Sequence, residues 1–593
     1  MNASRKTLVI GALCLLGVVG VMTVMGGAAE TATSDDQLAT VATDGSGDST
    51  GYVGSVAGES LAVESSTPTA ADDVPAVVNH IQTVDPVEAC AVTPPSDHGD
   101  PDGDTEDVIG WVDGYWYDEP LDIEGPELAE DELESLVART SARVEALRCL
   151  AFEETPPLEL LTREEYRESL ETDFDSISEA EWQFEDARHA SMLIAGQAVD
   201  AEELQIEFQA GFPAAFYNTE DEFMGFITDD PDAIEIDQVT LAHELTHALQ
   251  DQHFSIEEIF DEPTNDAFVA SLAVVEGDAT VLDERYEENC AAETWADACI
   301  RPPVEDADVV NFGLTLNLLA AYHTPLVAET LEAEGFDGVN ALLEAYPEST
   351  VEAIYPERYG EFEVADLTVE DRSDDAWERI VIEDDDGEPT EAYDVVGQHG
   401  LTAMLVAPSF ETDGVAEIID ITAFQRPHAG GFLTYDVTET SGWTGDRLYG
   451  YTNDDGDNAS VWKLAWEAEE DTEQFAAAYE DLVAHRGGTL VEGYENVYTF
   501  EGEDEYDMAV GIERDGDRLW IATAPTVDDL TAVHGDLDLR EATADPDDDD
   551  DMDDENGETD GDDDAIPGFG VAVALGALAV ALAAWNCRPK RHR

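Results

Sequence analysis

The run Val239-Thr-Leu-Ala-His-Glu-Leu-Thr-His-Ala-Leu-Gln-Asp-Gln-His253 decides how the rest of the chain is read. His243 and His247 stand four apart, so on a helix their imidazoles leave one face a turn apart and can hold one metal ion between them. Glu244 follows the first histidine directly. Its carboxylate therefore lies beside the metal without being a ligand, where it can take a proton from a metal-bound water. With 12 histidines in 593 residues, this H-E-x-x-H pattern arises by accident about 0.02 times per chain. The bland alternative is an amphipathic helix whose histidines face solvent or a satisfied core.

A catalytic zinc needs a third protein ligand and one open position. Two candidates compete. His253 follows His247 at the metzincin spacing, H-E-x-x-H-x-x-G-x-x-H, but the glycine that lets the chain turn back is replaced by Gln250. A helix that simply continues rotates His253 about 240° away from His247. Glu276, in Val274-Val-Glu-Gly-Asp-Ala-Thr280, sits on a second expected helix from Asn265 to about Arg285. A glutamate from a downstream helix completes the His2Glu set of thermolysin-like sites, and Glu276 is the preferred ligand.

Together Gly211 to Ile227, Leu241 to Phe254 and Val275 to Ala279 resemble a family of exported gluzincin-type zinc metallopeptidases, marked by the long H-E-L-T-H-A-L-Q-D-Q-H-F run and a later E-G-D-A segment. The resemblance covers about a quarter of the chain. It implies zinc at His243, His247 and Glu276, with Glu244 as general base, and hydrolysis of a peptide or protein substrate. Thermolysin-like enzymes carry an aspartate four residues after the third ligand, where this chain has Thr280; Asp278 or Asp251 is the expected substitute for orienting a zinc-bound histidine. Tyr286, Tyr322 and His323 are candidates for stabilising the tetrahedral oxyanion, with no choice among them. The competing function is a non-catalytic surface structural or binding protein with a structural or degenerate zinc site.

Composition narrows the setting. Aspartate and glutamate number 140 against 24 lysines and arginines, a formal charge of −116, and lysine occurs only at Lys6, Lys463 and Lys590. Such an excess repels itself unless strongly screened, so the folded state implies high salt. Nucleic acid is excluded as a partner, because no basic face exists to meet phosphates. At 43% hydrophobic content the chain can still bury a substantial core. Nothing in it indicates an oligomeric state.

In chain order, residues 1–29 read as an export signal: Arg5 and Lys6, an apolar run from Leu8 to Val24, then Gly26-Gly-Ala-Ala29. An uncleaved anchor is the alternative. Residues 30–105 read as a Ser/Thr/Asp/Gly-rich linker. Residues 106–373 form the expected α+β, zincin-like catalytic domain with a mostly helical C-terminal half. In it, Val108 to Trp116 reads as a hairpin, Asp131 to Leu150 as a helix, and Thr162 with Glu165 as a capping box. Ala214 to Tyr217 and Phe223 to Ile227 make a second hairpin, whose strand can pair with an extended peptide beside the cleft. Asp306 to Leu343 reads as two helices broken at Pro325. Four cysteines, Cys90, Cys149, Cys290 and Cys299, allow two disulfides in an exported protein.

Residues 374–540 read as a second α+β module without a recognisable site. Val395 to Val406 is a strand or a short buried helix; Trp443–Tyr451, Ala459–Trp466 and Arg518–Thr523 are strands; Thr472–His485 and Thr526–His534 are helices. Asn458-Ala-Ser460 is a glycosylation sequon suited to a surface loop. Residues 541–564 are an acidic stalk. Residues 565–593 hold Pro567-Gly-Phe569, an apolar run to Trp585 and the basic tail Arg588, Lys590, Arg591 and Arg593. This ending resembles the sorting signal of haloarchaeal surface proteins. The resemblance implies an exported body at the cell surface, held to the archaeal membrane by this segment or by a lipid that replaces it; a permanent span is the alternative.

Overall fold

The computed structural model describes residues 90–540, apart from 102–107, 124, 126, 212–213, 229–233, 293, 296, 298, 303–308, 384–386, 413 and 501–505, together with the backbone of Ala12–Leu13. The rest of the expected export signal, most of the linker, the acidic stalk and the C-terminal segment lie outside the described residues. The class is α+β. No helix among the described residues is long and apolar enough to cross a membrane.

Residues 90–101, inside the stretch expected as linker, already belong to the described structure. Cys90 is bonded to Cys149, Val92 pairs its amide with Ile109, and the Trp116 indole donates to the Gly99 carbonyl. The short strands β1 (Trp111–Val112) and β2 (Tyr115–Trp116) form the first hairpin. Helix α1 (Glu130–Arg148) follows. Three of its arginines, Arg139, Arg143 and Arg148, are almost fully buried. Arg139 and Arg143 grip Asp297, which lies in the loop closed by the Cys290–Cys299 disulfide. Buried cations persist only when paired, and here each meets a carboxylate.

Strand β3 (Leu158–Leu161) leads into α2 (Arg163–Phe174), whose Thr162 and Glu165 form the reciprocal cap. Helices α3 (Glu179–Met192) and α4 (Ala201–Gly211) come next. Strands β4 (Ala215–Asn218) and β5 (Phe223–Ile227) pair antiparallel, and β5 pairs in parallel with β3. Then come α5 (Gln238–Phe254), capped by Asp237, and the long α6 (Asn265–Ala291), capped by Thr264. The stretch expected as two helices holds three: α7 (Phe312–Leu319), α8 (Leu326–Glu334) and α9 (Phe336–Glu344). Gly335, at φ +71°, supplies the unforeseen second break, a conformation glycine adopts without strain.

The remainder is built on an eight-stranded antiparallel sheet. Two of its strands, Trp377–Arg379 and Tyr393–Asp394, come before helix α10 (Gly397–Glu411), which resolves Val395 to Val406 as a buried helix. The sheet runs through β6 (Trp443–Asn453) and β7 (Asn458–Trp466), with α11 (Glu469–His485) following, then β8 (Gly488–Leu490), β9 (Val497–Phe500), β10 (Ala509–Asp515) and β11 (Arg518–Ala524). Helix α12 (Val527–Val533) closes it. The sequon opens a strand rather than a loop: the Ser460 hydroxyl is buried between those of Ser191 and Thr523.

Two apolar clusters flank the α5–α6 pair. One packs α1, β4, β5 and α5 against Leu282 and Tyr286 of α6. The other takes Phe268, Leu272 and Val275 of α6 and continues through α7, α8 and α10 to Trp462 and Ile521 of the sheet. Glu276 lies between them on α6. The expected boundary at residue 374 does not separate two cores, since the second cluster includes residues from Phe184 to Ile521. Asp374, Asp375 and Ala376 are exposed and lie on a surface connection.

Candidate metal centre

Helix α5 starts where the Asp237 carboxylate accepts the amides of Val239 and Thr240 at 2.9 and 3.1 Å. That start places His243 and His247 on the face turned to α6, with ring centroids 4.7 Å apart. Glu276 meets them from α6: its Oε2 is 3.5 Å from His243 Nε2 and 3.8 Å from His247 Nε2. A tetrahedral zinc with ligands at about 2.1 Å sets neighbouring donor atoms about 3.4 Å apart, so these spacings fit. Both Nε2 atoms and both Glu276 oxygens are buried without a hydrogen-bond partner. Orphaned polar atoms of this kind are costly unless something binds them. Among the described residues, no other set of three such side chains converges in this way.

The far side of each ring is held. His243 Nδ1 is 2.7 Å from Asp283 Oδ2, and His247 Nδ1 is 2.8 Å from Gln250 Oε1. Each acceptor takes a proton on Nδ1, so a ring in its neutral form carries the lone pair on Nε2, facing Glu276. Burial opposes a charged His243, yet Asp283, Glu276 and Glu244 outweigh it and hold the ring well above its usual pKa. Burial, aided by His243, pushes His247 well below. The surrounding carboxylates thus favour positive charge on His243, while burial and that charge keep the His247 imidazole neutral, the form in which it ligates.

Glu244 is fully buried beside the triad and neither of its oxygens has a partner. Burial raises its carboxyl well above the ordinary range, with His243 pulling the other way, and its oxygens face the Tyr217 backbone of β4. A group whose proton affinity is raised suits the receipt of a proton from water.

His253 does not join. The helix continues to Phe254, and His253 lies on its exposed side with Nε2 2.9 Å from the Ala151 carbonyl. The expected orienting aspartates are corrected: Asp251 accepts the Tyr217 hydroxyl at 3.1 Å, and Asp278 reaches His247 only through Gln250, whose Nε2 lies 3.0 Å from Asp278 Oδ2. Asp283 and Gln250, not singled out from sequence, are the direct partners. The signal for Asp283 is its place seven residues after Glu276, two turns on along the same face; Gln250 is one turn beyond His247.

The three oxyanion candidates also separate. The Tyr286 hydroxyl is taken by Gln238 and Arg143. His323 packs edge-on to Phe432, and burial together with His428 lowers its pKa to about 3. Tyr322 is buried beside Glu276, and burial with the Glu276 and Glu244 carboxylates raises the pKa of its hydroxyl well above the usual range.

Comparison with known proteins bears on the other end of the chain. A domain family described as a domain of unknown function, DUF8575, matches residues 385–534, from before α10 to α12. No curated protein and no solved structure matches the chain.

Proposed function

We propose that the chain is a cell-surface zinc metallopeptidase with a gluzincin-like site: zinc at His243, His247 and Glu276, and Glu244 as general base. The observation that carries the reading is the convergence of three unpartnered ligand atoms with a buried, unpartnered carboxyl beside them. A zinc ion held there supplies Lewis-acid polarisation of a peptide carbonyl and an acidified water. Glu244 takes the proton of the attacking water and returns it to the leaving amine. The Tyr322 hydroxyl, beside Glu276, steadies the developing oxyanion. An extended substrate takes the edge of β4 that Ala12–Leu13 occupies in the structure, where Leu13 pairs with Tyr217 beside the Glu244 carboxyl. A purely structural zinc site has no use for such a base and fills its fourth position with protein.

Export, high salt outside and attachment to the membrane at the C-terminal end complete the proposal, resting on the sequence of residues 1–29 and 565–593 and on the charge of −116. The test is hydrolysis of a denatured protein in molar salt. Activity that stops with a zinc chelator and returns with added zinc supports the reading; hydrolysis indifferent to chelation, or none from zinc-loaded protein, contradicts it.

A further inference from the structure

Behind His247 lies a line of buried polar groups that reaches helix α1. Gln250 Oε1 meets His247 Nδ1, while Gln250 Nε2 donates to the Val275 carbonyl at 2.9 Å and to Asp278 Oδ2 at 3.0 Å. Asp278 Oδ2 also accepts from Arg148 Nε at 3.0 Å, and Arg148 Nη2 donates to Asn340 Oδ1 at 2.6 Å. The Arg148 guanidinium stacks over the Phe336 ring, 4.5 Å from its centroid. Arg148 and Asp278 are both almost wholly buried. A carbonyl and a carboxylate can only accept here, so the Gln250 amide must turn its nitrogen to them and its oxygen to the ring. That oxygen in turn demands a proton on His247 Nδ1 and frees Nε2 for a metal.

We propose that Arg148, Asp278 and Gln250 form a positioning relay that fixes the tautomer and tilt of His247, keying the metal site to helices α1 and α9. This rests on the triad being a metal site and not on peptidase activity. Outer partners of metal-bound histidines influence affinity through ligand orientation and basicity. Charge is not the requirement at Asp278. Its Oδ2 receives both hydrogen bonds and its Oδ1 none, so an asparagine can present one oxygen to both donors.

The test is zinc affinity by chelator competition in high salt, with histidine tautomers read by long-range nitrogen NMR on the zinc-free chain. Gln250→Met is expected to weaken zinc by about 100-fold and to let His247 populate the Nε2–H form. Arg148→Leu with Asp278→Leu removes the ion pair while keeping apolar packing, which often leaves stability intact. It is expected to weaken zinc by about 10-fold, because Val275 still holds the amide. Asp278→Asn should bind zinc within a few-fold of wild type. If the double variant does not fold, Gln250→Met alone decides. Folded Gln250→Met that binds zinc as tightly as wild type overturns the relay; a wild-type chain that binds none overturns the metal reading beneath it.

Discussion

Replacing Glu244 by glutamine separates chemistry from folding, because the structure assigns the two effects different signs. The carboxyl is fully buried, has no hydrogen-bond partner and carries a pKa raised by that burial. Burying a carboxyl there without a well-aligned partner costs stability, on the order of 1–3 kcal/mol. Glutamine keeps the shape and removes the ionisable group, so the melting temperature is expected to hold or rise. Catalysis moves the other way. A positioned general base contributes about 10²–10⁴-fold, and the amide cannot accept the proton. Zinc should stay bound, since Glu244 supplies no atom to the triad. The assay is steady-state peptide hydrolysis in molar salt on protein of measured zinc content, with thermal unfolding of the same samples. A variant with full zinc and undiminished kcat refutes the role of Glu244. A variant that loses both zinc and stability shows the residue to be part of the fold.

Tyr322→Phe should lower kcat by about 10²-fold with zinc content unchanged, the size of effect seen when one oxyanion donor is removed; equal activity removes Tyr322 from the reaction. The Cys90–Cys149 disulfide closes 59 residues and Cys290–Cys299 closes 9. Serine at Cys90 should therefore cost about 4 kcal/mol and serine at Cys290 about 2.5 kcal/mol in denaturant unfolding, and the reverse order contradicts the loop-entropy account. Burial lifts Asp394 to about 7, despite Arg188 nearby. The folded chain keeps a proton that the unfolded chain releases from about pH 4, so this share of stability is full below pH 4 and is lost as pH climbs to about 7. Asp394→Asn should flatten that fall, shifting the balance toward the variant by on the order of 4 kcal/mol across the window; parallel curves contradict it.

Local signals carried much of the fold. The four-residue spacing of His243 and His247, the Thr162–Glu165 cap and the polar turn between β4 and β5 each specify their element through neighbouring residues alone, and each stands in the structure. Helix α3 was harder, because its inner face carries Glu185, Arg188 and His189, and buried polar residues hide an apolar stripe. Helix α10 was ambiguous because Asp446 of a distant strand accepts the Val396 and Gly397 amides at its start. The convergence of Glu276 with the two histidines is legible as residue types but not as geometry. Its distance depends on how α5 and α6 pack, and the same packing brings Asp283 of α6 to the His243 ring. The shared core across residue 374 likewise comes from tertiary packing that composition does not report.

The central claim is that two imidazoles and one carboxylate hold a single cation. Its most direct test is the zinc content of the folded chain after exhaustive desalting in high salt, by elemental analysis. The account predicts one zinc per wild-type chain, retained in Glu244→Gln and lost in His243→Ala, His247→Ala and Glu276→Ala. Wild-type protein that holds no zinc, or Glu276→Ala that keeps it at full occupancy and affinity, contradicts the account.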